Sequence, residues 1–258
     1  MELRVLTIGD VVGESGLRFL EKQLRPLRQR TGTDFCVVNG ENASGIGLTP
    51  QQAERMLDAG ADVITLGNHT YARREICTYL DESSYILRPG NLQPSLPGRG
   101  WGIFDTKIGS VAVVNLIGRC NMNFGPDNPF RLIDRILDEA GELPVLVDFH
   151  AEATSEKLAM GYYLDGKISA LWGTHTHVLT ADEQILPKGT GYITDLGMTG
   201  PRVSVIGTKP EQSIAMFRGE LTSRFECAPG ACRMTGALFT IDARTRHCTA
   251  AERVEVCG

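Results

Sequence analysis

Three short apolar runs in the first third of the chain each end in a polar turn. Residues 3–8 run into Gly9-Asp10, residues 35–38 into Asn39-Gly40-Glu41-Asn42, and residues 63–66 into Gly67-Asn68-His69. Helical patterns separate them, at about 17–30, from Thr49 to Ala59, and near 73–80. The middle helix has a complete start signal: Thr49 as N-cap, Pro50 at the first position and Gln52 at the third. Alternating strand and helix implies a mainly parallel sheet with helices on its faces. In such sheets ligands bind beyond the carboxyl ends of the strands. Asp10, Glu41, Asn42, Asn68 and His69 all fall at those ends.

The rest of the chain returns to the same place. Residues 101–106 and 110–116 read as a hairpin, and a helix at about 130–140 is closed by Gly141. A strand at 144–149 ends at His150, and a helix at 155–164 follows, with Thr154 expected as its N-cap. The apolar stretch 168–172 then leads into Gly173-Thr174-His175-Thr176-His177. In an extended backbone residues i and i+2 share a side, so both imidazoles are expected to reach one pocket. Further strands are expected at 190–194, 224–228, 233–242 and 249–256, with a short helix at 211–218. Met198-Thr199-Gly200-Pro201 reads as a tight turn. A strand-rich second half folding onto a βαβ first half predicts an α/β chain. Two mixed sheets pack face to face with outer helices, in one domain over residues 1–258.

Composition removes several function classes. Acids outnumber bases 31 to 26 and no Lys/Arg block stands out, so binding to long nucleic acid is not expected. No Walker-type phosphate loop occurs, and Gly45-Ile46-Gly47 lacks the third glycine of a dinucleotide fingerprint. No signal peptide or membrane-spanning run is read, so no membrane partner is expected. Seven cysteines, an odd number without a Cys-x-x-Cys pair, fit reduced thiols and a cytoplasmic location.

Collected together, the strand-end residues are Asp10, Glu41, Asn42, Asn68, His69, His150, His175 and His177, which include all but one of the five histidines. His247, in a polar turn, is read as solvated. Carboxylate, amide and imidazole without thiolate suit Fe, Mn or Zn in an exposed catalytic site. There are too many candidate ligands for one tetrahedral ion; they suit two ions about 3.5–4 Å apart. Asp148 is a candidate for orienting an imidazole, with an ordinary strand-end acid as the simpler reading. Glu152 and Glu156 are assigned to a helix start or subunit contact, and Arg88, Arg99 and Arg119 to water-facing loops.

The chain resembles the calcineurin-like metallophosphoesterase superfamily, whose pattern is Asp, a bridging acid, Gly-Asn-His, His and Gly-His-x-His. Val12 and the segment Asn39-Gly40-Glu41-Asn42 depart from its common form and match one branch, the YmdB-like bacterial phosphoesterases. The likeness rests on Ile-Gly-Asp-Val-Val-Gly (8–13), Val-Asn-Gly-Glu-Asn-Ala (38–43), Asp-Phe-His-Ala-Glu-Ala-Thr-Ser-Glu-Lys (148–157), Gly-Thr-His-Thr-His-Val (173–178) and Asp-Leu-Gly-Met-Thr-Gly-Pro (195–201). It implies a four-layer α/β/β/α sandwich hydrolysing small phosphodiesters such as 2′,3′-cyclic nucleotides. By the same resemblance Asp10, Glu41, Asn42 and His177 hold one metal ion, and Glu41, Asn68, His150 and His175 the other, with iron or manganese favoured and zinc possible. A hydroxide shared by the ions would attack, and His69 would protonate the leaving oxygen. A homo-oligomer is compatible with the family. A phosphomonoesterase or nucleotidase on the same site, or a metal-binding regulatory protein with incidental catalysis, are the alternatives.

Overall fold

The computed structural model describes residues 1–258 except Phe124, which lies in the Asn-, Gly- and Pro-rich stretch 121–129. The chain begins with β1 (Glu2–Ile8), β2 (Asp10–Val11), α1 (Gly13–Thr31), β3 (Phe35–Asn39), α2 (Pro50–Ala59), β4 (Val63–Thr65), α3 (Ile76–Glu82) and β5 (Ile86–Leu87). It continues through β6 (Trp101–Thr106), β7 (Gly109–Ile117), α4 (Pro129–Ala140), β8 (Val145–His150), α5 (Thr154–Leu164), β9 (Ala170–Thr174), β10 (Gln184–Ile185) and β11 (Gly191–Ile193). It closes with β12 (Met198–Pro201), α6 (Pro210–Phe217), β13 (Cys232–Asp242) and β14 (Cys248–Cys257).

Two mixed sheets form. The first has the order β2-β12-β13-β1-β3-β4-β5, with β14 also on β13; the second has the order β10-β11-β9-β8-β7-β6. The period-two side-chain alternation of each strand sorts residues between layers. In β1, Leu6 and Ile8 face the helices α1–α3, while Leu3 and Val5 face the second sheet. In β8, Val145, Val147 and Phe149 face α4 and α5, while Leu146 faces the first sheet. Three apolar layers between four structural ones make the expected α/β/β/α sandwich. Among the described residues no helix is long and apolar enough to cross a membrane.

The capping box of α2 is present, with Gln52 N–H donating to Thr49 Oγ1 and the Gln52 side chain returning to the Thr49 backbone. Four local expectations change. The first helix starts at Gly13 rather than near 17. Residues 198–201 are a strand, not a turn, because β2 and β13 flank them and satisfy both backbone edges. Gly16 permits this, since a Cβ there would strike the Thr199 carbonyl oxygen. Residues 224–228 form no named strand; their backbone bonds go to Gly207, Lys209 and Gln212 beside α6 instead of to a sheet. Thr154 lies inside α5, whose N-cap is Ala153. Glu156 in its first turn accepts backbone N–H bonds from Arg119 and Cys120 at 2.9–3.2 Å.

Candidate metal and active site

The carboxyl ends of strands from both sheets meet at one edge. Asp10 opens β2 just past β1, Glu41 and Asn42 follow β3, and Asn68 and His69 follow β4. From the second sheet come His150, the last residue of β8, and His175 and His177 after β9. All eight expected residues therefore converge on one site, and Asp10, Glu41, Asn42 and His150 are buried.

His150 Nε2 is the meeting point of one group. It lies 2.9 Å from Asn68 Oδ1, 3.1 Å from His175 Nδ1 and 3.2 Å from Glu41 Oε1. Glu41, His150 and His175 form the one three-residue His/Cys/Asp/Glu cluster with metal-ligand spacing among the described residues. Gly67 makes room for it, because a Cβ there would overlap His150 Nε2 and the Glu41 carboxylate. The second group is looser. His177 Nε2 lies 3.6 Å from Asp10 Oδ1 and 3.1 Å from the Asn42 amide nitrogen. Asn42 Oδ1 lies 2.8 Å from His69 Nδ1, and Glu41 Oε2 accepts the backbone N–H of His69. Glu41 touches residues of both groups.

The surrounding hydrogen bonds fix how the imidazoles are presented. Thr174 Oγ1 gives its proton to Asp148 Oδ1, so the 2.9 Å contact with His150 Nδ1 must use a proton on the ring. That leaves His150 Nε2 facing two oxygens and another ring nitrogen, where only a proton or a cation is favourable. The Ile206 carbonyl accepts from His177 Nδ1 at 2.8 Å, which likewise turns Nε2 toward Asp10. Asp10 Oδ1 is buried without a hydrogen-bond partner. Oxygen and imidazole donors with no thiolate, and an orphaned carboxylate oxygen, fit a hard or borderline divalent ion.

The electrostatics agree. Burial favours the neutral acid at Asp10 and Glu41, yet the adjacent His177 and His150 outweigh it and hold both carboxyls below their ordinary range. Burial opposes charge on His150 and His177, but Glu41 and Asp10 raise both, His177 to about 9. His175 falls to about 4 through burial and the neighbouring charge of His150. The pocket thus holds negative charge and calls for positive charge in the middle.

The presentation of His175 and His177 differs from the strand geometry expected. β9 stops at Thr174, and both histidines have positive φ, 102° and 64°. They reach the pocket through left-handed turns, a conformation held at a cost and common at functional sites. Two carboxylates secure the loop. Asp10 Oδ2 accepts the His175 N–H, and Asp195 Oδ2 accepts the Thr176 N–H, each at 3.2 Å.

Lys157 and Glu152 were not expected at the site. Lys157 is fully buried and its Nζ lies 2.7 Å from Asp195 Oδ2, passing beneath Gly173, where a Cβ would come within 2.8 Å of Lys157 Cδ. Asp148, expected either to orient an imidazole or to be an ordinary strand-end acid, is buried and accepts from Thr65 and from Thr174, which contacts His150, and burial lifts its pKa to about 6. Glu152 faces His175 Nε2 at 3.1 Å. Arg88 is buried rather than water-facing. His247 is exposed, as expected.

A cavity of about 610 Å³ opens beside the site, lined by His69 and Glu152 and by an apolar wall that includes Ile46, Ile206 and Phe225. Ile206 has a φ of 47°, unusual for a β-branched residue, and it is the residue whose carbonyl holds His177.

Comparison with known proteins gives consistent matches over nearly the whole chain. Residues 6–254 match the family model described as YmdB-like protein. A Bacillus subtilis relative named 2′,3′-cyclic-nucleotide 2′-phosphodiesterase is 42% identical, over 98% of this chain and 96% of its own. A crystal structure of a Mycoplasma pneumoniae protein described as a novel phosphatase superposes with a TM-score of 0.94 at 33% identity, covering 100% of this chain and 94% of that one. The crystal structure of a hypothetical protein from Thermus thermophilus gives a TM-score of 0.92 at 40% identity, covering 99% of each chain.

Proposed function

The chain belongs to the YmdB-like protein family, and on that premise we propose that it is a metal-dependent phosphodiesterase acting on small diesters such as 2′,3′-cyclic nucleotides. The named activity of the B. subtilis relative supports the reaction class. The observation that carries the proposal is the convergence of acceptors: two imidazoles with their Nε2 atoms turned toward Asp10, Glu41 and Asn68, and a buried Asp10 oxygen without a donor.

In this reading Asp10, Glu41, Asn42 and His177 hold one ion, and Glu41, Asn68, His150 and His175 hold a second, iron or manganese before zinc. Asn42 can serve both an ion and His69, because its carbonyl oxygen has two lone pairs. Bound cations of this kind neutralise the anionic phosphoryl oxygens and make water acidic enough to attack near neutral pH. The remaining work belongs to the chain. Asp148 and Thr174 keep the proton of His150 on Nδ1, and the Ile206 carbonyl does the same for His177. A protonated His69 keeps its Nδ1–H on Asn42 and gives its Nε2 proton to the departing ribose oxygen. The apolar wall of the cavity takes the face of the base. Seven free cysteines support a reducing cytoplasm as its location.

The test is metal analysis of protein purified without chelators, followed by turnover of 2′,3′-cyclic AMP, 3′,5′-cyclic AMP and AMP. The proposal expects about two ions per chain and diester hydrolysis exceeding that of AMP. Protein that holds no metal and gains no diesterase activity with added Mn or Fe would refute it. Preference for AMP would move the assignment to a phosphomonoesterase.

A further inference from the structure

A second cavity, of about 470 Å³, shares no lining residue with the first. Arg88, Arg131 and Arg135 line it, together with Trp101, Asn128 and Asp127. Arg88 is the informative member because it is only 5% exposed. Its Nη1 donates to the carbonyls of Pro89 and Gly90 at 2.7 and 3.4 Å, while its Nε–H is buried with no acceptor. Among the described residues the guanidinium forms no ion pair. A buried cation without a counter-charge is unfavourable, and a guanidinium has five N–H donors to satisfy.

The other groups add to the same field. Arg131 and Arg135 lie four residues apart on α4 and are exposed, again without an ion pair among the described residues. Asn128 caps the same helix by accepting the Phe130 N–H at 2.9 Å, so the positive end of α4 opens onto the cavity. Three guanidiniums stand against the single carboxylate of Asp127, which is exposed.

We propose that this cavity binds a phosphate dianion, free or carried on a small metabolite. Arg88 supplies unspent donors from below, and Arg131 and Arg135 close on the anion from the helix, in the charge-assisted geometry guanidinium favours for phosphate. Trp101 borders the same space and offers an aromatic face to a base when the phosphate is part of a nucleotide.

The chain has two tryptophans, and Trp172 is buried between the sheets, so fluorescence changes on titration report chiefly on Trp101. Metal-loaded protein is titrated with inorganic phosphate and, in parallel, with AMP. Saturable change is expected with both the parent and Asp10→Ala, which disables phosphate capture at the metal site. The exposed-site double variant Arg131→Ala/Arg135→Ala is expected to bind about ten-fold or more weakly, with circular dichroism unchanged. Tighter binding of AMP assigns the cavity to nucleotide monophosphates, and equal binding assigns it to free phosphate. The proposal fails on any of three results: no saturable signal, unchanged affinity in the double variant, or a signal lost in Asp10→Ala.

Discussion

Replacing Lys157 with Met should unfold the chain far more readily than a helix lysine ordinarily would. The ammonium is fully buried and bonded to Asp195, which is itself buried, and the same carboxylate holds the loop carrying His175 and His177 through Thr176 N–H and reaches Gly197 N–H at 2.9 Å. Burial keeps the Asp195 carboxyl above its ordinary pKa even with Lys157 beside it. Removing the lysine strands a buried carboxylate, and breaking one half of such a pair costs about 3–5 kcal/mol. Asp195→Asn should cost about the same, because it strands the ammonium. The double variant Lys157→Met/Asp195→Asn should cost about 4–5 kcal/mol in place of the roughly 8 expected from addition, a coupling of about 3 kcal/mol. Urea unfolding of the four proteins at fixed metal concentration measures the cycle, with unchanged slopes as the check on two-state behaviour. An additive double variant, or a Lys157→Met protein within about 1 kcal/mol of the parent, would refute the reasoning.

Two further outcomes follow from the site. His69→Gln should lower turnover of a 2′,3′-cyclic nucleotide by about 10²–10⁴-fold with metal content unchanged. Hydrolysis of bis(p-nitrophenyl) phosphate, whose leaving group needs no proton, should fall much less, and equal losses would remove His69 from the acid role. In chelator-treated protein, His177 has its pKa raised from 6.5 to about 9 by Asp10 against the opposing effect of burial. A raised folded-state pKa stabilises fully below the unfolded value, and that contribution is lost as pH climbs through the folded one. Metal-free protein should therefore lose thermal stability between pH 7 and about 9, while metal affinity rises over the same window as protons leave. A flat or rising melting temperature would contradict this.

Much of the site was readable because strand ends are readable. Apolar runs broken by Asp10, Glu41 and Asn68 place ligand-type side chains at one sheet edge whatever the details of packing. The two packed sheets were legible from a strand-rich second half following a βαβ first half. What stayed hidden depends on contacts between distant residues or on unusual backbone. Nothing in the sequence pairs Lys157 with Asp195, 38 positions later, and only the fold brings them together. Met198–Pro201 reads as a turn because Gly and Pro punctuate it, and only its two neighbours make it a strand. The left-handed turns at His175 and His177 leave no mark in residue type, so the expected convergence held although the extended geometry behind it did not.

The order of the first sheet sets a timetable for making the protein. β1 pairs along its whole length with β13, a strand made much later, from Glu2↔Asp242 to Ile8↔Gly236. Until residues 232–242 are synthesised, that edge of β1 has no partner and remains open to other strands. Asp10, just beyond it, is paired through β12 to the same late strand. A nascent chain can stack its βα units early, but the strand ends of this sheet cannot be brought together until β13 has been made. Removing residues 232–242 would disperse the strand-end cluster although none of its eight residues lies there.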